Sequence, residues 1–340
     1  MVTIKEIARK AGYSPTTVSR LLNGDPTLSL PRSTQQKIIK VSEELGYVAR
    51  NKRVTWPRDI AILDTSSSAE TLEDSYFDAL KETAATVMKK YRMRSTVFTR
   101  VDDLIADGSD LDGFISIGAA NFNGDELNAL HEGIPYGVFL DTNPAPTLFD
   151  SAQPDFNQII LDALDQFQAA GMKRIGFIGG IGRIMGFHEY PEDPRSLAFR
   201  NWTNRLGIDT DRDGLIYASG PFSTSNGRAL GEKVVADLRG SLPDAFIVAA
   251  DTLAVGVLQA FASAGILVPR DVSLVSINDL PIAQYTSPAL SSYSIDQTEL
   301  VETAVSLLAD GLMRHREVKQ HVYQTATLRV RESFTPMAKR

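Results

Sequence analysis

The stretch Ser14 to Gly24 (SPTTVSRLLNG) constrains the chain more than any other, because it specifies a short helix with one apolar face and one face of small hydroxyls and an arginine. Ser14 is a good N-cap, able to accept from an orphan N–H of the first turn, and Pro15 sits where a missing N–H costs nothing. Asn23-Gly24 supplies the stop. Val18, Leu21 and Leu22 fall at the spacing of a buried stripe, which leaves Thr16, Thr17, Ser19, Arg20 and Asn23 facing outward or toward the edges. Alone, the pattern also fits an ordinary capped surface helix. Upstream, Thr3-Ile4-Lys5-Glu6 has the capping-box spacing, and Ile4, Ile7, Ala8 and Ala11 repeat at helical period up to Gly12-Tyr13. Two short helices around a tight glycine turn form a helix-turn-helix. Ile38, Ile39, Val41, Ser42 and Leu45 predict a third helix ending at Gly46, which closes a three-helix core.

Charge is distributed to match. Residues 1–58 carry eleven Lys/Arg against four acids, so with −7 overall the remainder of the 340 residues carries −14. A basic head on an acidic body suits a protein whose head alone meets phosphates. The chain has no cysteine, which excludes disulfides and zinc clusters, and its four histidines (His131, His188, His315, His321) show no metal-ligand spacing. Neither a metal nor a cofactor is expected. No apolar run approaches the roughly 18–20 residues that span a bilayer, and the N-terminal residues form a polar helix. A cytoplasmic, nucleoid-associated chain with no membrane partner is expected.

From Ile60 onward short apolar runs alternate with amphipathic helices. Strands are predicted at 60–63, 95–99, 114–117 and 136–140, with a helix from about Tyr76 to Tyr91. The pattern then restarts, with helices at 156–170, 197–206, 227–238 and 252–265 and strands at 174–178, 215–218, 245–249 and 273–277. Such alternation implies parallel sheets covered on both faces, and two runs in tandem imply two similar subdomains. Ligands in open parallel sheets bind beyond the carboxyl ends of the strands. Polar residues recur there: Asp64 and Ser66, Asp141, Asp251, and Asn278-Asp279. Fixed carboxylates and amides suit hydroxyls that both donate and accept.

VTIKEIARKAGYSPTTVSRLLNG, followed by EELGY, resembles the DNA-binding head of the lactose/galactose repressor (LacI/GalR) family. The resemblance implies an all-α helix-turn-helix head on an α/β periplasmic-binding-protein-like body with two parallel-sheet subdomains. It places base reading at Pro15 and Thr16, with Arg20 one turn on. A proline cannot donate to a base edge, so reading there is by apolar contact or none, while Thr16 can do either; Arg20 is expected to make the bidentate contact to guanine. Lys5, Ser14, Asn23 and Lys37 are expected on phosphates, with Thr17 and Ser19 on the same face. Pro31 stands where the family has a serine cap, so Ser29 or Ser33 is expected to cap the third helix. The linker (residues 47–58) lacks the Pro-Asn and Ala-Arg-x-Leu pieces of the family's hinge helix. Val54 is its candidate minor-groove wedge, while Arg50, Asn51, Lys52 and Arg53 can track phosphates.

The expected division is a head over 1–46, the linker over 47–58, and a body over 59–340. Within the body, one subdomain takes 59–157 and 285–318 and the other 158–284 and 319–335. The resemblance carries effector contacts onto Tyr76, Phe77, Asp141, Arg195, Phe222, Asp251 and Asn278, with Ser66 added from its strand-end position. Ala250-Asp251 replaces the family's Asn-Asp pair, and Asn278 replaces a more usual aspartate. Ser276 to Pro288 (SINDLPIAQYTSP) is similar to the galactose- and galactoside-responsive branch. These readings together imply a homodimeric repressor on a pseudo-palindromic, double-stranded operator, controlled by a small sugar. No catalytic residue is expected. The glycine run Gly176 to Gly182 lacks the spacing of a nucleotide loop. A sugar-binding transport receptor and a glycoside-acting enzyme, the latter requiring two carboxylates facing one bond, are the competing readings.

Overall fold

Thr3 opens helix α1 (Ile4–Ala11) by a reciprocal cap: its hydroxyl accepts from the Glu6 amide while the Glu6 carboxylate accepts from the Thr3 amide at 2.7 Å. Gly12, at φ 81°, ends it. Helix α2 (Pro15–Leu22) follows, with the Ser14 hydroxyl accepting from the Thr17 amide at 3.0 Å. These helices belong to a computed structural model that describes residues 2–23, 25, 28, 30–47, 58–65, 76–118, 122–181, 192–210, 214–238 and 240–336. Ile7, Ala8, Ala11, Val18, Leu21, Leu22, Ile38 and Val41 form the buried core of the head, closed by α3 (Arg32–Glu44). Of the two expected capping serines, Ser33 does not cap α3. The Pro31 carbonyl accepts the first helical amides, from Thr34 and Gln35, which puts Ser33 inside the helix; Ser29 lies outside the described residues.

The body is two sheets. The first has strand order β11-β5-β4-β3-β1-β2, with β1 at Arg58–Asp64, β2 at Met93–Phe98, β3 at Gly113–Ile117, β4 at Gly137–Leu140, β5 at Asp150–Pro154 and β11 at His321–Gln324. Every pairing in it is parallel. Ile60, Ile62, Ile115, Ile117, Val138 and Leu140 pack on one face, while Ala61, Leu63, Phe114 and Phe139 pack on the other. Both faces are therefore covered, as uninterrupted apolar runs in parallel strands require. The helices between these strands are α4 (Tyr76–Lys90), α5 (Val101–Ala106) and α6 (Gly124–Gly133).

The second sheet runs β12-β10-β9-β8-β6-β7, with β6 at Ile175–Gly179, β7 at Ile216–Ala218, β8 at Ala245–Val248, β9 at Ser273–Asn278, β10 at Ser291–Ser294 and β12 at Thr327–Arg329. Only β12 is antiparallel. Its helices are α7 (Phe156–Ala169), α8 (Pro194–Leu206), α9 (Thr224–Asp237) and α10 (Asp251–Ser263), while α11 (Gln297–Arg314) packs on α4 and the first sheet. The strand orders match position for position, so β4 and β9 occupy equivalent places in the two sheets.

The expected boundaries need correction. Residues 285–294, assigned to the first subdomain, include β10, which pairs with β9 in the second sheet. Residues 319–324, assigned to the second, include β11, which pairs with β5 in the first. The chain thus crosses near Asp155, between β10 and α11, and between β11 and β12. Arg58, counted with the linker, lies in β1, buried and bonded to Asp112 at 3.1 Å. The rest of the linker, Val48 to Pro57, lies outside the described residues. No described helix is long and apolar enough to cross a membrane.

Helices α9 and α10 approach through glycines. A Cβ on Gly227 would lie 2.1 Å from the Leu253 carbonyl oxygen, and one on Gly256 2.1 Å from that of Thr224. Backbone cannot yield as a side chain tip can. Gly256→Ala is expected to destabilise the body by about 3 kcal/mol, read as a lower midpoint in urea unfolding.

Candidate effector cleft and DNA face

Two strand ends set the geometry of the cleft. Asp141 directly follows β4 with φ 73°, and Asn278 ends the equivalent β9 with φ 110°. Left-handed backbone is costly for residues with a Cβ, and here two such residues stand at matched strand ends. Tyr76, the first residue of α4, donates from its hydroxyl to Asp141 Oδ1 at 2.9 Å. Phe77 stands edge-on to it, ring centroids 5.3 Å apart. The Asn278 carboxamide makes no hydrogen bond to a described residue.

The second subdomain contributes the cation. Arg195, the second residue of α8, follows the Asp193-Pro194 pair that starts the helix; the Asp193 carboxylate accepts from the Arg195 amide at 2.9 Å and from its Nη1 at 3.3 Å. Its guanidinium lies 4.0 Å from the centre of the Phe156 ring and 5.1 Å from that of Phe222. Phe222 occupies that place because residue 180 is glycine: a Cβ there would come within 2.8 Å of the ring. Arg195 is buried, and among the described residues its Nε has no hydrogen-bond partner. A buried donor without an acceptor is expensive, which singles this N–H out.

Burial pushes both Asp141 and Asp193 above the usual carboxylate range, and in both the Arg195 charge opposes the rise. The cleft thus sets one guanidinium against two buried carboxylates, with aromatic faces beside them. Asp193 and Phe156 were not among the expected contacts; the Asp-Pro helix start just before Arg195 was the available signal for the first. An open cavity of about 540 Å³, lined by Gly180, Ile181, Glu192, Asp193, Ser196, Arg200 and Ala218, adjoins the start of α8. Ser66 lies outside the described residues.

Asp251, expected as an effector contact, is withdrawn from the cleft wall. It is fully buried, and its carboxylate accepts from the Ser276 hydroxyl, the Ser292 hydroxyl at 2.7 Å and the Leu280 amide at 2.6 Å. Burial pushes its pKa up to about 6, against those three hydrogen bonds, which pull it down. Because the folded value exceeds the unfolded 3.8, this group's contribution is fully present below about 3.8 and lost as pH rises through about 6. Relative to Asp251→Asn, the natural protein should therefore gain up to about 3 kcal/mol between pH 7 and pH 4, measured by paired urea unfolding.

On the head, Ser14, Pro15, Thr16, Asn23 and Lys5 are exposed, with Thr17, Ser19 and Arg20 half-buried. Several expected DNA contacts already have partners. The Ser14 hydroxyl caps α2 and bonds to that of Thr17 at 2.8 Å, and the Asn23 amide group donates to the Ser19 hydroxyl at 3.2 Å. Arg20 Nε donates to Asp25 at 2.7 Å, so the carboxylate aligns the guanidinium for any base contact. Lys37 lies over the Tyr13 ring at 5.6 Å. Arg50, Asn51, Lys52 and Arg53 lie outside the described residues.

Comparison with known proteins agrees with this division. Residues 3–50 match the family described as bacterial regulatory proteins, lacI family, and residues 164–334 match the periplasmic binding protein-like domain. The HTH-type transcriptional regulator LacR of Lactobacillus helveticus is 40% identical over 339 residues, covering 100% of both chains. Among solved structures, a transcriptional regulator CelR–cellobiose complex matches 98% of the chain and 100% of its own, with TM-score 0.68 and 20% identity. The lac repressor dimer bound to operator and the anti-inducer ONPF matches 98% of each chain, with TM-score 0.64 and 20% identity. At that identity the two structures speak to fold alone.

Proposed function

The chain belongs to the LacI family of bacterial regulatory proteins, and on that premise we propose that a neutral sugar, galactose or a galactoside, lodges in the cleft and controls the grip of the head on DNA. As a member of that family it is a DNA-binding transcriptional regulator rather than an enzyme. The observation that carries the sugar reading is Arg195, stacked on Phe156 and Phe222 beside Asp141 and Asp193. Hydroxyls satisfy both kinds of group, donating to carboxylates and accepting from the guanidinium. An anionic ligand would meet two buried carboxylates for one cation. Calorimetry with galactose, lactose, galactose 1-phosphate and hypoxanthine tests this: binding of a neutral galactoside alone fits, and binding of the phosphate or the purine without a galactoside overturns it.

A single head offers few base contacts, so the operator-binding unit is a homodimer whose two heads read half-sites about one helical turn apart. The solved lac repressor is a dimer on its operator, which supports this reading. The effector acts by preferring one arrangement of the two subdomains about the three crossovers, which respaces the heads and releases the operator. The sites lie on the head, with Thr16 and Arg20 of α2 reading bases and Lys5, Ser14, Asn23, Lys37 and the linker cations on phosphates. Arg20→Ala should cost about 1–3 kcal/mol of discrimination and relax preference at one base pair. Selection of bound DNA fragments with each protein, with and without galactose, reads this loss together with the site's symmetry and the sign of regulation.

A further inference from the structure

The turn that presents Asn278 is held from beneath. Asn278 and Asp279 have φ of 110° and 53°, two consecutive left-handed residues of which neither is glycine. Such a backbone persists only where its surroundings over-determine it. Here the amides that follow Asn278 are both tied to one carboxylate. The Leu280 amide donates directly to Asp251 Oδ2 at 2.6 Å. The Asp279 amide donates to the Ser292 hydroxyl at 3.0 Å, and that hydroxyl donates in turn to Asp251 Oδ1 at 2.7 Å. The Ser276 hydroxyl, on β9 two residues before Asn278, donates to the same oxygen. Asp251 is the first residue of α10, so the turn, β9, β10 and a helix start converge on one buried group. Arg331 adds a second tie, from its Nη2 to the Asp279 carboxylate at 2.6 Å.

We propose that Asp251 is a positioning residue for the effector: it touches no ligand but fixes the left-handed Asn278-Asp279 turn and so presents the Asn278 side chain to the cleft. This rests on the reading of the cleft as the effector site. A buried carboxylate that served stability alone would act on the whole subdomain. One that positions Asn278 acts through that residue only. The serines of β9 and β10 are part of the device, since without the Ser292 hydroxyl the Asp279 amide has no route to the carboxylate.

The test uses the full-length protein in two arms. In the first, amide hydrogen exchange is compared between the natural protein, Asp251→Asn and Ser292→Ala. Asp251→Asn removes the negative charge and leaves one acceptor oxygen where three donors converged, so exchange at Asp279 and Leu280 should quicken about tenfold or more, with α9 and β8 unchanged. Ser292→Ala should quicken Asp279 alone, which keeps the test open if Asp251→Asn fails to fold. In the second arm, galactose affinity is measured for Asp251→Asn with and without Asn278→Ala. The expected result is about a tenfold loss beside Asn278 and less than about a twofold loss once Asn278 is gone. Unchanged exchange at the turn, or equal losses in both backgrounds, overturns the proposal. If the natural protein binds neither galactose nor lactose, the sugar reading fails, and the exchange arm by itself decides the role of Asp251.

Discussion

Arg195→Met is expected to abolish the response to effector and to cost the body about 3–5 kcal/mol, because it removes the cation shared by two buried carboxylates. Methionine fills the space between Phe156 and Phe222, so the loss reports charge rather than a cavity. Asp141 and Asp193 are already pushed upward by burial, and without the guanidinium both rise further. A carboxylate whose folded pKa lies above its unfolded value contributes stability that is lost as pH rises through the folded value. The variant should accordingly recover part of its deficit in acid. Urea unfolding at pH 8 and pH 5 checks the sign: a gap from the natural protein that narrows at pH 5 fits, and a gap that widens contradicts the assignment.

The second large effect is electrostatic. The first 58 residues carry a net +7 and the remainder −14, so the head alone can neutralise phosphates while the body repels the duplex. Lys5 and Lys37 are exposed on the described part of the head. A pair of heads making roughly 6–10 phosphate contacts should lose about 10³ to 10⁵ in affinity between 50 and 200 mM salt, with a linear log–log slope. Fluorescence anisotropy on a labelled operator measures this directly. A slope near zero would mean that the basic head is not the DNA-binding surface.

Local chemistry made the head legible from its residues. Thr3, Glu6, Gly12, Ser14 and Pro15 each act within one turn of their own position, and the structure uses Thr3, Glu6, Gly12 and Ser14 as caps and starts α2 at Pro15. The apolar strands β1, β3, β4, β6, β8 and β9 were legible for the same reason, since burial on both faces writes a continuous run. Strand β5 was not, because Asp150-Ser151-Ala152-Gln153-Pro154 has no such run. It is held by distant partners, above all Arg316, which grips Asp150 with two nitrogens at 3.0 and 2.8 Å. The last two crossovers were expected too early, before β10 and before β11, for the same reason: no periodicity distinguishes those two strands, whose sheets are chosen by pairing partners far along the chain.

The cleft divides along the same line. Tyr76 and Asp141 lie 65 residues apart; Asp141 was legible from its strand-end position, Tyr76 only through the resemblance to known repressors, and the structure joins them by a hydrogen bond. Asp251 shows the limit of strand-end reasoning. An aspartate there can face the ligand or turn beneath the sheet, and the choice was made by Ser276 and Ser292, two unremarkable residues on neighbouring strands. Arg20 likewise has its orientation set by Asp25, across the end of its own helix.

On the proposed function, a small molecule held between the two sheets governs how firmly the head holds DNA. The direct measurement is operator affinity of the full-length protein, on a site recovered by selection, at zero and saturating galactose under fixed salt. A change of about tenfold or more is expected, reciprocated by an equal change in galactose affinity when operator is present. An operator affinity that stays constant while calorimetry shows galactose bound would contradict it.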